Sequence, residues 1–396
     1  MARKPRRTSR SRAREEALAA AGAVRVPERC DVCVVGGGAS GLAAAVAAAE
    51  AGASVVVLER SPACGRTILA TGNGRCNFSN AHLSWERYND PAFVEAVCGP
   101  NFGEDVLAFF GDCGLAWAEE EGGRLYPLSR QAASVREVLL ARARRCGATL
   151  APAREVTGAT REDTGWRVAY EGVRAGNVAA RSVVLALGGG EALLRSLGLS
   201  CDPFEPVLCA LACEAPDGVS LSELDGRRAH AVARLLREGD EVARETGEVL
   251  FRGYGLSGIA IFDLSRHARS GDVVSLDLTC GVSEAAACRL AATAGSCAGL
   301  LDPVIAATLK DSLEAACDLR FVVTGPAEPE RAQVTRGGLA TDQFDPATLA
   351  ARELGGLFAC GEALDVDGAC GGFNLAWAWK SGLVAGRAAA ASSPLN

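Results

Sequence analysis

Gly36, Gly38 and Gly41 stand at the spacing G-x-G-x-x-G, directly after the apolar run Val32, Cys33, Val34 and Val35. In that setting Gly36 permits a tight turn, Gly38 lets the backbone approach a pyrophosphate, and Gly41 lets a helix pack closely on a strand. A helix predicted from about Ser40 to Ala51 aims its N-terminal N–H groups and positive dipole end at the same point. Ser54 to Leu58 reads as a second strand, and Glu59 at its end is placed to accept both hydroxyls of a ribose. Together these features specify dinucleotide binding, and to this point NAD and FAD serve equally well.

Two further stretches are chemically dense. Ser61–Asn80 has little apolar periodicity and gathers Arg66, Asn73, Arg75 and Asn77 beside Gly65, Gly72 and Gly74. Close backbone approach next to polar donors points to a ligand, at the place where a flavin's ribityl chain and ring would be met. Near the C-terminus a strand from Leu357 to Cys360 runs into Gly361, Glu362, Asp365 and Asp367, and Gly371–Gly372 opens a helix from about Phe373 to Ala388. Free N–H groups at that helix start suit the flavin N1–C2=O edge, which becomes anionic on reduction. These two stretches move the reading from NAD to FAD. Arg75, Arg124 and Tyr126 are candidates for orienting a substrate or delivering a proton, each with structural hydrogen bonding as its alternative. Gly188 and Gly190 begin a second glycine pattern, but Leu193 occupies the third position and no acid-terminated strand follows, so a second Rossmann domain is not expected.

The elements that must position these residues follow from pattern. Pro91–Gly111 reads as helical, and Val135, Leu139, Ala143 and Cys146 mark one face of a helix ending at Gly147. Short strands run from Ala148 to Ser182–Gly190, an antiparallel β insertion spans about Asp202–Gly281, and an alanine-rich helical patch covers 283–319. Arg320–Gly325 and Arg331–Gly338 read as strands re-entering the main domain. The expected organisation is a basic disordered tail over 1–27, a dinucleotide-binding domain in two parts over 28–198 and 331–396, and an inserted β-rich domain over 199–330.

Composition bounds the function. The chain has 396 residues, 49% of them hydrophobic and 22% charged, with a net charge of −7. Its apolar runs break well before the ~20 residues a membrane-spanning helix needs. The first fourteen residues carry seven Lys and Arg and no acid, so the rest is more acidic than the total suggests and repels nucleic acid and anionic membranes. Arg6–Arg7 is a twin arginine without the hydrophobic segment of an export signal, and a cytoplasmic protein is expected. The sixteen cysteines are scattered, which fits reduced, buried thiols, and Cys30 and Cys33 point to opposite faces of a strand. His82, His230 and His267 are too dispersed to suggest a metal site.

The Gly36 turn combined with GRTILATGNGRCNFSN, GRLYPLS, FRGYGLSG, VTRGG and GEALDVDGACGGFNLAWAWKSG resembles the HI0933-like flavoproteins, NAD(P)/FAD-dependent oxidoreductases also known as aminoacetone oxidase-type FAD-binding enzymes. The resemblance covers nearly everything after about residue 28. It implies an α/β fold: a glutathione-reductase-like FAD-binding Rossmann domain split by an inserted antiparallel β-rich domain with a small helical part. It also implies that Gly36, Gly38, Ala39, Ser40, Gly41, Glu59 and Arg60 hold the adenosine and pyrophosphate side, and that Val156 meets the adenine through its backbone. Gly65, Arg66, Gly72, Asn73, Gly74, Arg75, Cys76 and Asn77 would line the middle of FAD. Gly361, Glu362 and Asp365 would hold the ribityl–pyrophosphate side, Gly371, Gly372, Phe373, Asn374 and Leu375 would sit beside the isoalloxazine, and Gly188 would also meet the cofactor. The chain departs from the family after Gly188–Gly190, where a Gly- and Ser-rich loop is shortened.

The resulting expectation is an FAD-dependent oxidoreductase moving a hydride between flavin and a small organic substrate. In its finer form an activated C=C bond is reduced with NAD(P)H as electron source, as some family members do with 3-oxo bile-acid intermediates. The alternatives are a flavin-binding redox sensor or scaffold, a pyridine-nucleotide disulfide reductase using Cys64 and Cys76, and a simple NAD-dependent dehydrogenase.

Overall fold

Val32–Val35 are each at most 1% exposed and form the end of β1 (Arg29–Val35), a strand covered on both faces, as an unbroken apolar run requires. In the computed structural model, which describes residues 9–392, β1 pairs in parallel with β2 (Val55–Glu59) on one side and with Gly176–Leu185 on the other. Thr149–Pro152 extends the sheet beyond β2. The far edge of Gly176–Leu185 is shared: its first half pairs antiparallel with Gly165–Gly172, and its last residues pair in parallel with Leu357–Ala359. The five parallel strands of this core all end at one edge of the sheet, the edge where ligands of open α/β sheets bind.

Helix α2 (Ala39–Glu50) joins β1 to β2 and is almost wholly buried. The C-terminal helix, Phe373–Ala391, lies directly on it, since a Cβ at Gly382 or Gly386 would fall 2.4 Å from Ser40 O or 2.3 Å from Ala44 O. Trp377 and Trp379 are both buried on this helix, and each N–H finds a carbonyl, Gly361 O at 3.2 Å and Phe78 O at 2.9 Å. Pro91–Gly111 is two helices, Pro91–Cys98 and Phe102–Cys113, because Gly99 (φ 65°) and Pro100 end the first. Val135, Leu139 and Ala143 are the buried face of Ala132–Arg145, while Cys146 lies just past its end.

The chain divides into two compact units, 1–204 with 336–396, and 205–335. In the second unit six strands close an antiparallel barrel in the order Ala210–Glu214, Gly255–Ser257, Asp240–Arg252, Arg228–Arg237, Val273–Asp277 and Leu319–Ala327. Alternate residues such as Ala231, Ala233, Leu235, Phe321 and Val323 fill its interior, the period-two pattern of strands with one buried face. Arg320–Gly325 therefore does not return to the main sheet. It pairs with Ala210–Glu214 and Val273–Asp277 and closes the barrel. Three short helices, Glu284–Ala294, Pro303–Thr308 and Leu313–Cys317, are each capped by a side chain, from Ser283, Asp302 and Ser312.

The basic N-terminal stretch is also corrected in part. Residues 1–8 lie outside the described residues, but Ser9–Ala23 is a helix, α1, rather than a disordered tail. Alanine-rich sequence favours the helix. Arg154, 1% exposed, fastens its C-terminal end by donating to Ala21 O at 3.0 Å and Val24 O at 2.8 Å.

Candidate functional site

The turn after β1 is built around close backbone contacts. Gly36 has φ 105°, donates its N–H to Leu58 O at 2.8 Å, and has no room for a side chain, since a Cβ would sit 2.4 Å from Ala186 O. A Cβ on Gly41 would lie 1.9 Å from Gly36 O, so the first turn of α2 presses on the glycine turn. Gly38 caps α2 without a side-chain hydrogen bond, leaving the helix start around Ala39 and Ser40 to an outside acceptor. Glu59 ends β2 with its carboxylate accepting the Gly37 N–H at 2.7 Å and the Ser61 N–H at 2.6 Å, and Gly65 donates to Gly37 O at 2.7 Å. The Ser61–Gly65 loop is thereby tied to the turn. Arg66 beyond it is exposed.

The second dense stretch folds onto the C-terminal helix. Gly72, Asn73, Gly74 and Cys76 all have positive φ, between 54° and 83°, which coils the loop back so that the Cys76 N–H reaches Thr71 O at 3.0 Å. Asn80 then donates to Gly371 O at 2.9 Å. Gly372 (φ 102°) caps the helix, and a Cβ there would be 2.4 Å from Ser79 O and 3.0 Å from Asn77 Oδ1. Loop and helix start are therefore one structure, and Asn77 Oδ1 within it is buried without a hydrogen-bond partner. Phe373 is buried, with its carbonyl taken by the Tyr88 hydroxyl at 2.7 Å, and Leu375 is half-buried. The Asn374 amide is occupied on both sides by Gly368 N–H and O, each at 2.7 Å, so its side chain serves the loop.

Gly361 (φ 63°) connects the two stretches. It donates to Ser381 Oγ at 2.9 Å, and a Cβ on it would lie 2.5 Å from Ser40 Oγ. Its neighbour Glu362 faces Gly188, where a Cβ would be 2.9 Å from Oε2. Burial, with the Asp367 charge adding to it, pushes the Glu362 carboxyl up to about 7. Asp365 accepts the Gly337 N–H at 3.0 Å, and burial raises its pKa as well. Asp367, fully buried, is paired with Arg336 at 2.9 Å, a partner that sequence reading passes over although Arg336 lies in the VTRGG motif.

Tyr126 is buried with the exposed Arg75 guanidinium 4.8 Å from its ring centre and Arg130 at 5.8 Å. Arg124 is not drawn into this group, since its Nε donates to Glu121 O at 2.8 Å. Val156 lies in the strand Arg154–Glu162, paired with Tyr170 in the antiparallel part of the sheet. All sixteen cysteines are free, and burial pushes the Cys64 and Cys76 thiols up to about 12 and about 11, which suits packing and opposes a redox dithiol.

The residues fit FAD. The glycine turn and uncapped α2 accommodate a pyrophosphate, while the orphaned Asn77 acceptor and the Gly372-capped helix start supply polar groups beyond it. Sheet and site suit an FAD-binding protein, and the family match makes the chain an FAD-dependent oxidoreductase. The chain belongs to the HI0933-like protein family, whose Rossmann-domain profile matches residues 30–388. It is 33% identical over 408 residues to the 3-dehydro-bile acid delta(4,6)-reductase of Clostridium scindens, covering 90% of this chain and 98% of that one. It is 26% identical over 393 residues to the ribosomal RNA dihydrouridine synthase of Escherichia coli, covering 89% and 96%. Among solved structures, the 3-ketosteroid-delta4-(5alpha)-dehydrogenase of Rhodococcus jostii RHA1 superposes with a TM-score of 0.49 at 16% identity, over 93% of this chain and 98% of that one.

Proposed function

We propose that the protein reduces a carbon–carbon double bond conjugated with a carbonyl in a small molecule, with NAD(P)H as electron source. The observation that carries this reading is the 33% identity, over nine tenths of the chain, to a reductase whose name specifies such bonds. The dihydrouridine synthase relative is likewise named for a product in which a ring double bond beside a carbonyl is saturated. The net charge of −7 favours a small substrate over a polyanion.

Bound FAD supplies the hydride-transfer chemistry. In this reading Gly36, Gly38, Ala39, Ser40, Gly41, Glu59 and Arg60 hold its adenosine and pyrophosphate half, Gly361 and Glu362 its middle, and Asn77 and Gly371–Phe373 its ring end. The helix N-terminus at Gly372 stabilises negative charge on whatever ring lies against it. Tyr126, with the Arg75 guanidinium 4.8 Å from its ring centre, is in this reading the donor of the proton to the substrate carbon that does not receive hydride. The net change is enone plus NAD(P)H plus a proton giving saturated ketone plus NAD(P)+. Incubating holoprotein with NAD(P)H and a cyclic enone is expected to yield a product two hydrogens heavier by mass spectrometry. Unchanged enone in the presence of fully reduced, bound flavin would contradict the proposal.

A further inference from the structure

Helix α1 precedes the segment that the family profile matches, residues 30–388, yet it is fastened to the unit that contains β1 and β2. Arg154 joins its end to the sheet by donating to Ala21 O, Val24 O and, at 2.6 Å, Pro152 O, and Ala21 is 1% exposed. A guanidinium at a helix C-terminus satisfies carbonyls that have no partner inside the helix and complements the dipole there. One turn apart on α1, Arg14 and Leu18 line a cleft together with Arg60 and Pro62 after β2, Ala153 and Glu155, and Glu171 with the residues that follow it. The floor of this cleft is anchored to the dinucleotide turn. Ala153 donates to Ser61 O at 2.8 Å, Ser61 donates to Glu59, and Glu59 accepts from Gly37.

From this arrangement the geometry points to α1 as the outer wall of the adenosine subsite, a wall that the family's own segment does not include. The inference rests on the FAD reading and extends it to a part of the chain that reading does not use. The cleft chemistry suits an adenosine. Arg14 and Arg60 bring guanidinium groups that can stack on a purine face, Leu18 brings apolar surface, and Glu155 and Glu171 bring carboxylates that can accept from an exocyclic amine. Arg14 is exposed and Leu18 half-buried, so replacing both leaves the packing of α1 through Ala21 and Arg154 intact.

The test compares wild-type apoprotein with the R14A/L18A double variant, titrated separately with FAD, by flavin fluorescence, and with 5′-AMP, by calorimetry. Both dissociation constants are expected to rise about tenfold. In wild type, FAD should also slow hydrogen exchange at the α1 amides. Unchanged FAD affinity in the variant, a loss for FAD without a loss for AMP, or α1 exchange indifferent to FAD would each overturn the inference while leaving the cofactor reading intact. Failure of the wild type itself to bind FAD would overturn both.

Discussion

Glu362 stands just past the C-terminal strand, facing Gly188, and its carboxyl is pushed up to about 7 from an ordinary 4.5 by burial and by Asp367. A carboxyl whose pKa is raised on folding binds its proton more tightly in the native state. Its contribution to stability is therefore complete below about 4.5 and is lost as pH rises through about 7. Thermal melts of the apoprotein should show this decline across that window, and E362Q should flatten it; parallel profiles for the two proteins would remove Glu362 as the cause. Gly41 tests the turn itself. A methyl group there meets Gly36 O at 1.9 Å, so G41A should lower stability by roughly 1–3 kcal/mol in urea titrations and weaken FAD binding at the same time. Wild-type values for both would show that the α2 start can move away from the turn.

At the scale of elements, Arg154 and Trp379 are two of the side chains that tie separate pieces together. Replacing Arg154 by Met removes donors from Ala21 O, Val24 O and Pro152 O and should cost about 2–4 kcal/mol in urea unfolding, with faster hydrogen exchange along α1. W379F leaves Phe78 O without its donor and should cost about 1–2 kcal/mol, loosening the Gly72–Asn80 loop from the C-terminal helix. Both would be contradicted by unfolding curves that superpose on wild type. The elements nearest the glycine turn were legible in the residue pattern because local rules govern them: an unbroken apolar run for β1, glycine spacing for the turn and an acid at the end of β2. What was not legible depends on distant partners. The α1 residues look like a solvated basic tail until Arg154, 130 residues on, supplies the acceptor-satisfying group. Arg320–Gly325 is an ordinary alternating strand, and nothing in its own residues says which sheet it joins. The pairing of Asn80 with Gly371, across 291 positions, has no local signal at all.

For the whole molecule, the site comes from bringing two ends of the chain together on one sheet, with a barrel formed by the residues between. Among the described residues no helix is long and apolar enough to cross a membrane. The thiols of Cys64 and Cys76 remain protonated and enclosed, so C64S and C76S should retain turnover, whereas a disulfide reductase would lose it. On the proposed reading this flavoprotein saturates double bonds activated by a carbonyl. The most direct test is to reduce the FAD-bound protein anaerobically and mix it, under stopped flow, with a conjugated enone and separately with the corresponding saturated ketone. Flavin absorbance is expected to return with the enone, in step with formation of the saturated product, and to stay bleached with the ketone. Flavin that stays reduced with every enone, yet reoxidises with a disulfide, would contradict that reading.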